Sequence, residues 1–182
     1  MTAESRSRAG VRIYRAADAQ DPVEVGYHAG NDFSAQPDAL KAAIALGKAG
    51  GAVNKLLVNQ TPDEGGFSLL YAWFKPHFPL FRHRHEVDCM YVVLSGSLTM
   101  GNQTLRPGDC FFVAADAPYG YTAGPEGVEV LEIRHDAEKF TFTLATNPEG
   151  RLDEARDTAR RQADTWAGLT EGPLFQANAD RR

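Results

Sequence analysis

The sequence is poor in the features that mark secreted, disulfide-stabilised and membrane-spanning proteins. It has two cysteines in 182 residues, Cys89 and Cys110, which is typical of reduced cytoplasmic thiols rather than of a disulfide scaffold. Its apolar runs, such as residues 67–74, are far shorter than a membrane span. The N-terminal residues contain no apolar signal core. The sequence therefore predicts a cytoplasmic protein without a membrane partner.

An excess of positive charge is also absent. The formal net charge is −5 and no basic stripe dominates, which argues against nucleic acid as the main partner. The arginines near the C-terminus alternate with acidic residues or end the chain, as in a solvated helix face and tail. At 182 residues, the chain suits one domain with a substantial core.

Short apolar stretches separated by turn residues divide the chain into three parts. Residues 1–60 are an N-terminal extension, in which residues 37–49 are predicted to form a helix and residues 11–15 and 55–58 edge strands. Residues 61–146 are expected to form the core of the fold from alternating strands. Those strands are predicted at residues 67–74, 81–96, 97–100, 103–105, 110–114, 128–134 and 140–144.

Residues 147–182 have a different character. Asn147 and Pro148 are typical of a helix start. The residues that follow place a narrow, mainly alanine face on one side of the predicted helix. That face consists of Leu152, Ala155, Ala159, Ala163 and Trp166. Beyond Gly172 and Pro173 the sequence predicts disorder.

The segment 81–96 carries the strongest functional pattern. It has two histidines one residue apart, His83 and His85, at the head of a strand-like run that ends at Gly96. Because side chains alternate along a strand, both imidazoles lie on one face and could hold one ion. The same parity adds Cys89 and Tyr91 to that face.

A second stretch, residues 105–121, supplies another wall of the same site. It opens with the turn Pro107–Gly108–Asp109 and continues as an apolar strand towards Tyr119 and Tyr121. These two segments together resemble the paired motifs of the cupin superfamily over residues 69–134. Cupins have His-x-His, a glutamate and a glycine in the first motif, and a Pro-Gly turn followed by a histidine in the second.

The resemblance implies a single antiparallel cupin-type β-barrel, or jelly roll, with a helical N-terminal extension and a C-terminal helix. His83, His85 and Gly96 match the first motif, and Pro107–Gly108 match the second. The glutamate position holds Cys89 and the final histidine position holds Tyr119. Cupin-type thiol dioxygenases can also have cysteine at that first position, where it forms a thioether with a tyrosine, so a Cys89–tyrosine crosslink is a hypothesis.

The candidate metal ligands are His83, His85, Cys89 and Tyr119. A third ligand decides the affinity of a histidine pair, and the ion could be Fe, Zn, Cu, Ni or Mn. A Cys89 thiolate would suit zinc or copper, and a Tyr119 phenolate would favour iron. His77 and His135 are alternative third ligands. Tyr91 and Tyr119 are the candidate catalytic proton carriers.

Two functions remain open at this stage. The first is a small metal-dependent enzyme, an oxygenase or lyase acting on a small organic acid or carbonyl compound in the barrel. The second is a non-catalytic binding or sensing protein that has lost its metal and holds a small molecule in the barrel. In both cases the edge strands and exposed aromatic residues predict a homodimer.

Overall fold

The computed structural model describes residues 10–27, 37–135, 141–145 and 151–179. Strands make up most of the described chain, because its stretches alternate aromatic and β-branched residues with polar ones. The strands are β1 (Ala52–Asn59), β2 (Phe67–Phe74), β3 (Pro79–Arg84), β4 (Cys89–Met100), β5 (Gln103–Leu105), β6 (Cys110–Val113), β7 (Tyr119–His135) and β8 (Thr143–Leu144). The helices are α1 (Pro37–Lys48), α2 (Arg151–Ala167) and α3 (Pro173–Ala179).

Strand β7 organises the sheet. Its second half pairs with β2 and β4, and its first half pairs with β3 and the distal part of β4, all antiparallel. Neighbouring strands in the sheet follow the order β1–β2–β7–β3–β8. Strand β4 also pairs with β7, and it adds β5 and β6 to the sheet. A long strand shared by two halves of a sheet bends it around one interior. The predicted all-β, cupin-type barrel with helices before and after it is therefore confirmed.

Several predicted strands differ in extent from those of the structure. The run 81–96 is not one strand: β3 ends at Arg84 and β4 begins at Cys89, with a bend between them. Residues 11–15 are extended but unpaired, so the edge strand predicted there is wrong. β7 begins at Tyr119 rather than at residue 128. The first half of β7 was not predicted because its glycines weaken the pattern of a strand, and these glycines occur where the backbone is closely packed. A Cβ added at Gly120 would lie 2.9 Å from the Leu80 carbonyl oxygen.

The two longer helices pack against each other at one end of the barrel. Leu46 of α1 is buried, as are Ala155 and Ala159 of α2, which belong to the predicted alanine-rich face. Trp166 is fully buried, and its indole N–H donates to the Pro76 carbonyl oxygen at 2.9 Å. The narrow face of α2 therefore lies against α1 and the barrel, where small side chains allow close approach.

Helix α3 occupies a region that the sequence predicts to be disordered, so that prediction is wrong. Its Phe175 ring packs on Tyr71 with centroids 4.8 Å apart, and the Leu174 N–H donates to Glu129 at 2.8 Å. Pro173 is the first residue of this helix, a position where proline is tolerated although it would break the interior of a helix. The helix start predicted at residues 147–148 lies outside the described residues. Among the described helices, none is long and apolar enough to cross a membrane.

Candidate metal centre

His83 and His85 lie inside the barrel with their ring orientations fixed by the backbone. Their exposed fractions are 2% and 3%. His83 Nδ1 lies 2.7 Å from the Phe81 carbonyl oxygen, and His85 Nδ1 lies 2.6 Å from that of Thr141. A carbonyl can only accept, so each Nδ1 carries the hydrogen and each Nε2 keeps its lone pair. This arrangement is typical of metal-binding histidines.

The two Nε2 atoms and the Tyr119 hydroxyl oxygen form a close triangle, which we call the acceptor triangle. The two nitrogens are 3.2 Å apart. Tyr119 Oη lies 2.9 Å from His83 Nε2 and 3.2 Å from His85 Nε2. Tyr119 reaches this position because β7 pairs with β3 in a register that sets Tyr119 opposite His83. Ligands bound at about 2.1 Å to one ion lie about 3 Å from each other, so the triangle has the dimensions of a metal site.

Hydrogen atoms are too few for the contacts around the acceptor triangle. Tyr91 donates its hydroxyl hydrogen to Glu132, and its oxygen also contacts Tyr119 Oη. Tyr119 must then donate to Tyr91, because a contact between two hydroxyls needs one hydrogen. The Tyr119 oxygen then faces the Nε2 lone pair of His83 and the Nε2 of His85, which already accepts from Arg134 at 3.3 Å. A cation between these three atoms would remove the repulsion.

Protonation of His83 does not supply the missing hydrogen near neutral pH. Burial lowers the pKa of His83 to about 4, because an imidazolium is poorly solvated in the barrel. Burial also raises the pKa of Tyr91 and of Tyr119 well above the ordinary value, so both phenols keep their hydrogens unless a cation binds. The donor set therefore fits a metal ion better than an extra proton.

Two residues of this network, Glu132 and Arg134, were missed by the sequence analysis. Glu132 contacts Tyr91 and forms an ion pair with Arg134. The Arg134 guanidinium also donates to His85 Nε2 at 3.3 Å and to Tyr27 Oη at 3.2 Å. Both residues belong to β7 and alternate inward with Val128 and Val130, so strand parity was the signal that could have identified them.

Cys89 lies on the inner face but points to Arg134 rather than into the acceptor triangle. Arg134 Nε donates to Cys89 Sγ at 3.0 Å, and the thiol contacts the Val87 carbonyl oxygen at 3.4 Å. His85, Cys89 and Glu132 also place ligand atoms within 4.8 Å of one another and form a second group that could hold an ion. Both cysteines are free thiols.

The alternative histidines lie elsewhere. His77 lines a separate groove beside Pro79 and Glu154. His135, at the exposed end of β7, packs edge-on against Phe67 with ring centroids 5.0 Å apart. Among the described residues, the structure brings together His83, His85, Tyr91 and Tyr119, and it places these two histidines outside the acceptor triangle.

The acceptor triangle forms the polar end of a cavity of about 450 Å³. Aromatic and aliphatic side chains line its middle, among them Phe74, Phe78 and Phe142. The Phe142 ring stacks on His83 with centroids 4.3 Å apart and excludes water from one side of it. This volume and this mixture of apolar wall and few polar groups are typical of small-molecule sites.

The fold and the cavity together define a cupin-type barrel with a candidate metal centre, so the fold that the sequence motifs imply is confirmed. The solved structures similar to this chain include a cupin-like protein from Thermotoga maritima, with 15% identity over 57% of this chain and 84% of the other, at a TM-score of 0.47. The polyketide cyclase RemF from Streptomyces resistomycificus matches at 21% identity over 64% and 83%, at a TM-score of 0.46. The DMSP lyase DddQ from Ruegeria pomeroyi matches at 17% identity over 54% and 53%, also at 0.46.

These likenesses concern the fold alone. No family model matches the chain. No curated protein matches it either. The residues of the cavity itself therefore have to indicate the function.

Proposed function

We propose that the protein is a metal-dependent enzyme of the cupin type. His83, His85 and Tyr119 would hold the ion, and the substrate would be a small organic acid or carbonyl compound, in a dioxygenase or lyase reaction. The observation that carries this proposal is the acceptor triangle, in which three potential ligand atoms inside the barrel lie within 3.2 Å of one another. An ion bound there would supply a Lewis acid or an oxygen-activating centre.

The side chains around the acceptor triangle are placed to handle a proton. Tyr91 lies between Tyr119 and Glu132 and contacts both. It can take a proton from a substrate atom at the polar end of the cavity while it passes its own hydrogen to the Glu132 carboxylate. Arg134 pairs with Glu132 and stabilises its charged form. Tyr91 is thus the proposed catalytic proton carrier, and Arg134 is a positioning residue.

The apolar part of the cavity has a separate task. It excludes water from the polar end and holds the substrate by its non-reacting body, which fixes the reacting atoms next to Tyr91 and the histidines. The cavity is lined by Phe74, Phe78 and Phe142, whose rings suit a ligand with apolar surface.

Elemental analysis tests the proposal. Protein purified without chelators or a metal-binding tag is expected to contain close to one equivalent of a transition metal, and His83→Ala is expected to lose it. His135→Ala is the matched control, because His135 is exposed and lies outside the cavity. Absence of metal from the wild type after incubation with each candidate ion, or equal loss in both variants, would contradict the proposal.

One observation favours a second candidate function, a binding or sensing protein without metal. The Arg134 guanidinium already places a cation 3.3 Å from His85 Nε2 and could serve in place of an ion at that nitrogen. In that case the cavity would bind its small molecule without catalysing a reaction. Metal-free wild-type protein that binds a ligand with unchanged affinity after His83→Ala would support this alternative.

A further inference from the structure

The cavity has a second polar group at the end opposite the acceptor triangle. Asn54 of β1 lines the cavity. It is paired with Ala72 of β2, which is paired with Val130 of β7, so the three form one inward-facing row across the sheet. The neighbouring row, two residues along the strands, ends at Glu132. Two strand spacings and two residues separate the Asn54 and Glu132 backbones by about 12 Å. The two polar ends of the cavity are thus separated by apolar wall.

The Asn54 carboxamide makes no hydrogen bond to any residue that the structure describes. A partly buried amide on an otherwise apolar wall loses free energy unless a ligand or water satisfies it. Its neighbours on the same face of the sheet include two small residues that line the cavity and leave space beside it, Ala52 of β1 and Ala72 opposite it on β2. Asn54 therefore has both room and unused hydrogen-bonding capacity on its cavity side.

Gly47 marks the opening of the cavity. It lies near the end of α1 and lines the cavity although it is exposed, so the cavity reaches solvent there. A Cβ added at Gly47 would meet no atom within 4 Å, so packing within the protein does not require glycine. Glycine weakens a helix relative to alanine. Its presence is explained if a bulky side chain at this position would obstruct the entrance.

The charge of the cavity restricts the ligand further. Among the described residues that line it there is no lysine or arginine, and Glu132 is the ionisable carboxylate at the polar end. A phosphorylated or polyanionic compound would find no countercharge on these walls. A sugar would find few hydrogen-bonding partners along the apolar middle. A flat ring system fits the aromatic lining.

We infer that the cavity takes a flat, largely apolar compound of about two or three fused rings, with one oxygen group at the acceptor triangle and a second polar substituent bound by Asn54. The compound enters past Gly47. This inference rests on the proposed function in placing the first oxygen group at the metal-binding end. Asn54 is thereby the residue that determines specificity for the distal substituent.

The test uses two probes that differ in one distal hydroxyl, 1-hydroxyanthraquinone and 1,6-dihydroxyanthraquinone, with affinity measured by quenching of protein fluorescence. Wild type is expected to bind the dihydroxy probe about fivefold more tightly, the value of one hydrogen bond. Asn54→Leu is expected to abolish that preference. Equal affinity of wild type for both probes, or an unchanged preference in Asn54→Leu, would overturn the inference.

The entrance is tested with the same probes. Gly47→Leu is expected to weaken binding of both at least about tenfold by filling the opening. Gly47→Ala and Lys48→Leu are the matched variants, because the first adds only a methyl group and the second places the same leucine on α1 outside this cavity. Both are expected to bind as wild type does. Full affinity of a folded Gly47→Leu protein would overturn the proposed entrance.

Metal content measured on the same samples separates the two proposals. Metal-free protein that retains the Asn54-dependent preference would contradict the proposed function and support the inference about the distal end. Metal-loaded protein without the preference would contradict the inference alone. Thermal unfolding of each variant shows whether a loss of binding comes from a loss of folding.

Discussion

Glu129 and Glu132 are two buried carboxylates on the same strand, and they differ in what surrounds them. Glu129 faces the outer side of the sheet, where it accepts hydrogen bonds from Tyr71, from Ser95 at 2.5 Å and from the Leu174 N–H at 2.8 Å. Glu132 faces the cavity. Within the described part of the chain, the donors to Glu129 are neutral, whereas Glu132 is paired with a buried cation and reaches the acceptor triangle through Tyr91.

This difference separates a structural polar cluster from a functional one. At Glu129 the donors match the carboxylate, and the result is the attachment of α3 to the barrel. Around the acceptor triangle the close contacts outnumber the hydrogens, even with the one that Arg134 donates to His85 Nε2, and a buried network with that imbalance is costly unless something binds. The count of hydrogens, rather than the presence of buried charge, therefore identifies the site.

The largest expected effect comes from removing the cation on the inner face. Arg134→Met leaves the Glu132 charge buried without its partner, which is expected to lower the free energy of unfolding by about 3 to 5 kcal/mol. Denaturant unfolding measures it. Arg84→Met is the control, because Arg84 is half-exposed and lies 3.9 Å from Asp116 on the surface. A loss in Arg134→Met no larger than in Arg84→Met would show that the inner pair does not stabilise the barrel.

The next effect is a pH dependence specific to His83. Its folded pKa of about 4 lies below the ordinary value of 6.5, so the unfolded chain binds a proton more readily than the folded one. The stability is fully present above pH 6.5 and falls as the pH drops towards 4, by about 3 kcal/mol.

Unfolding of metal-free wild type and of His83→Gln between pH 7 and pH 4 measures this contribution. The wild type should lose about 3 kcal/mol more than the variant over that range, since only the wild type has the buried imidazole. Parallel pH curves for the two proteins would show that His83 is not held neutral by burial.

A smaller effect is expected on the outer face. Glu129→Gln replaces a carboxylate that accepts from three donors, and is expected to lower the free energy of unfolding by about 2 kcal/mol without changing metal content. Metal analysis and unfolding on one preparation measure both quantities. Because Glu129 faces away from the cavity, loss of metal in this variant would contradict the assignment of a structural role to Glu129 and a functional role to Glu132.

Much of the barrel could be predicted from period-two patterns. The bounds of β2 and the hairpin of β4 and β5 around Gly101 agree with the strands expected from alternation and turn chemistry. The first half of β7 could not be predicted in the same way, because Gly120, Gly124 and Gly127 weaken the pattern of a strand. These glycines are explained only by neighbouring chain segments that approach closely in the folded barrel.

Local parity also placed His83, His85 and Tyr91 on the inner face, and the second cupin motif placed Tyr119 at the same site; all four side chains are buried in the structure. The contact between Glu132 and Tyr91 depends on the register of β7 with β4, which pairs residues far apart in the sequence. The same register sets Arg134 opposite Cys89 and turns the thiol into a partner of the guanidinium. Alternation along one strand predicts which of its residues face inward. The pairing register between strands decides which of those residues meet.

Crystallography with anomalous scattering at the absorption edge of the bound metal is the direct test of whether an ion binds at the acceptor triangle. We expect one anomalous peak about 2 Å from His83 Nε2, His85 Nε2 and Tyr119 Oη. A peak between Cys89 Sγ and Glu132 instead, or no peak in protein incubated with each candidate ion, would contradict it.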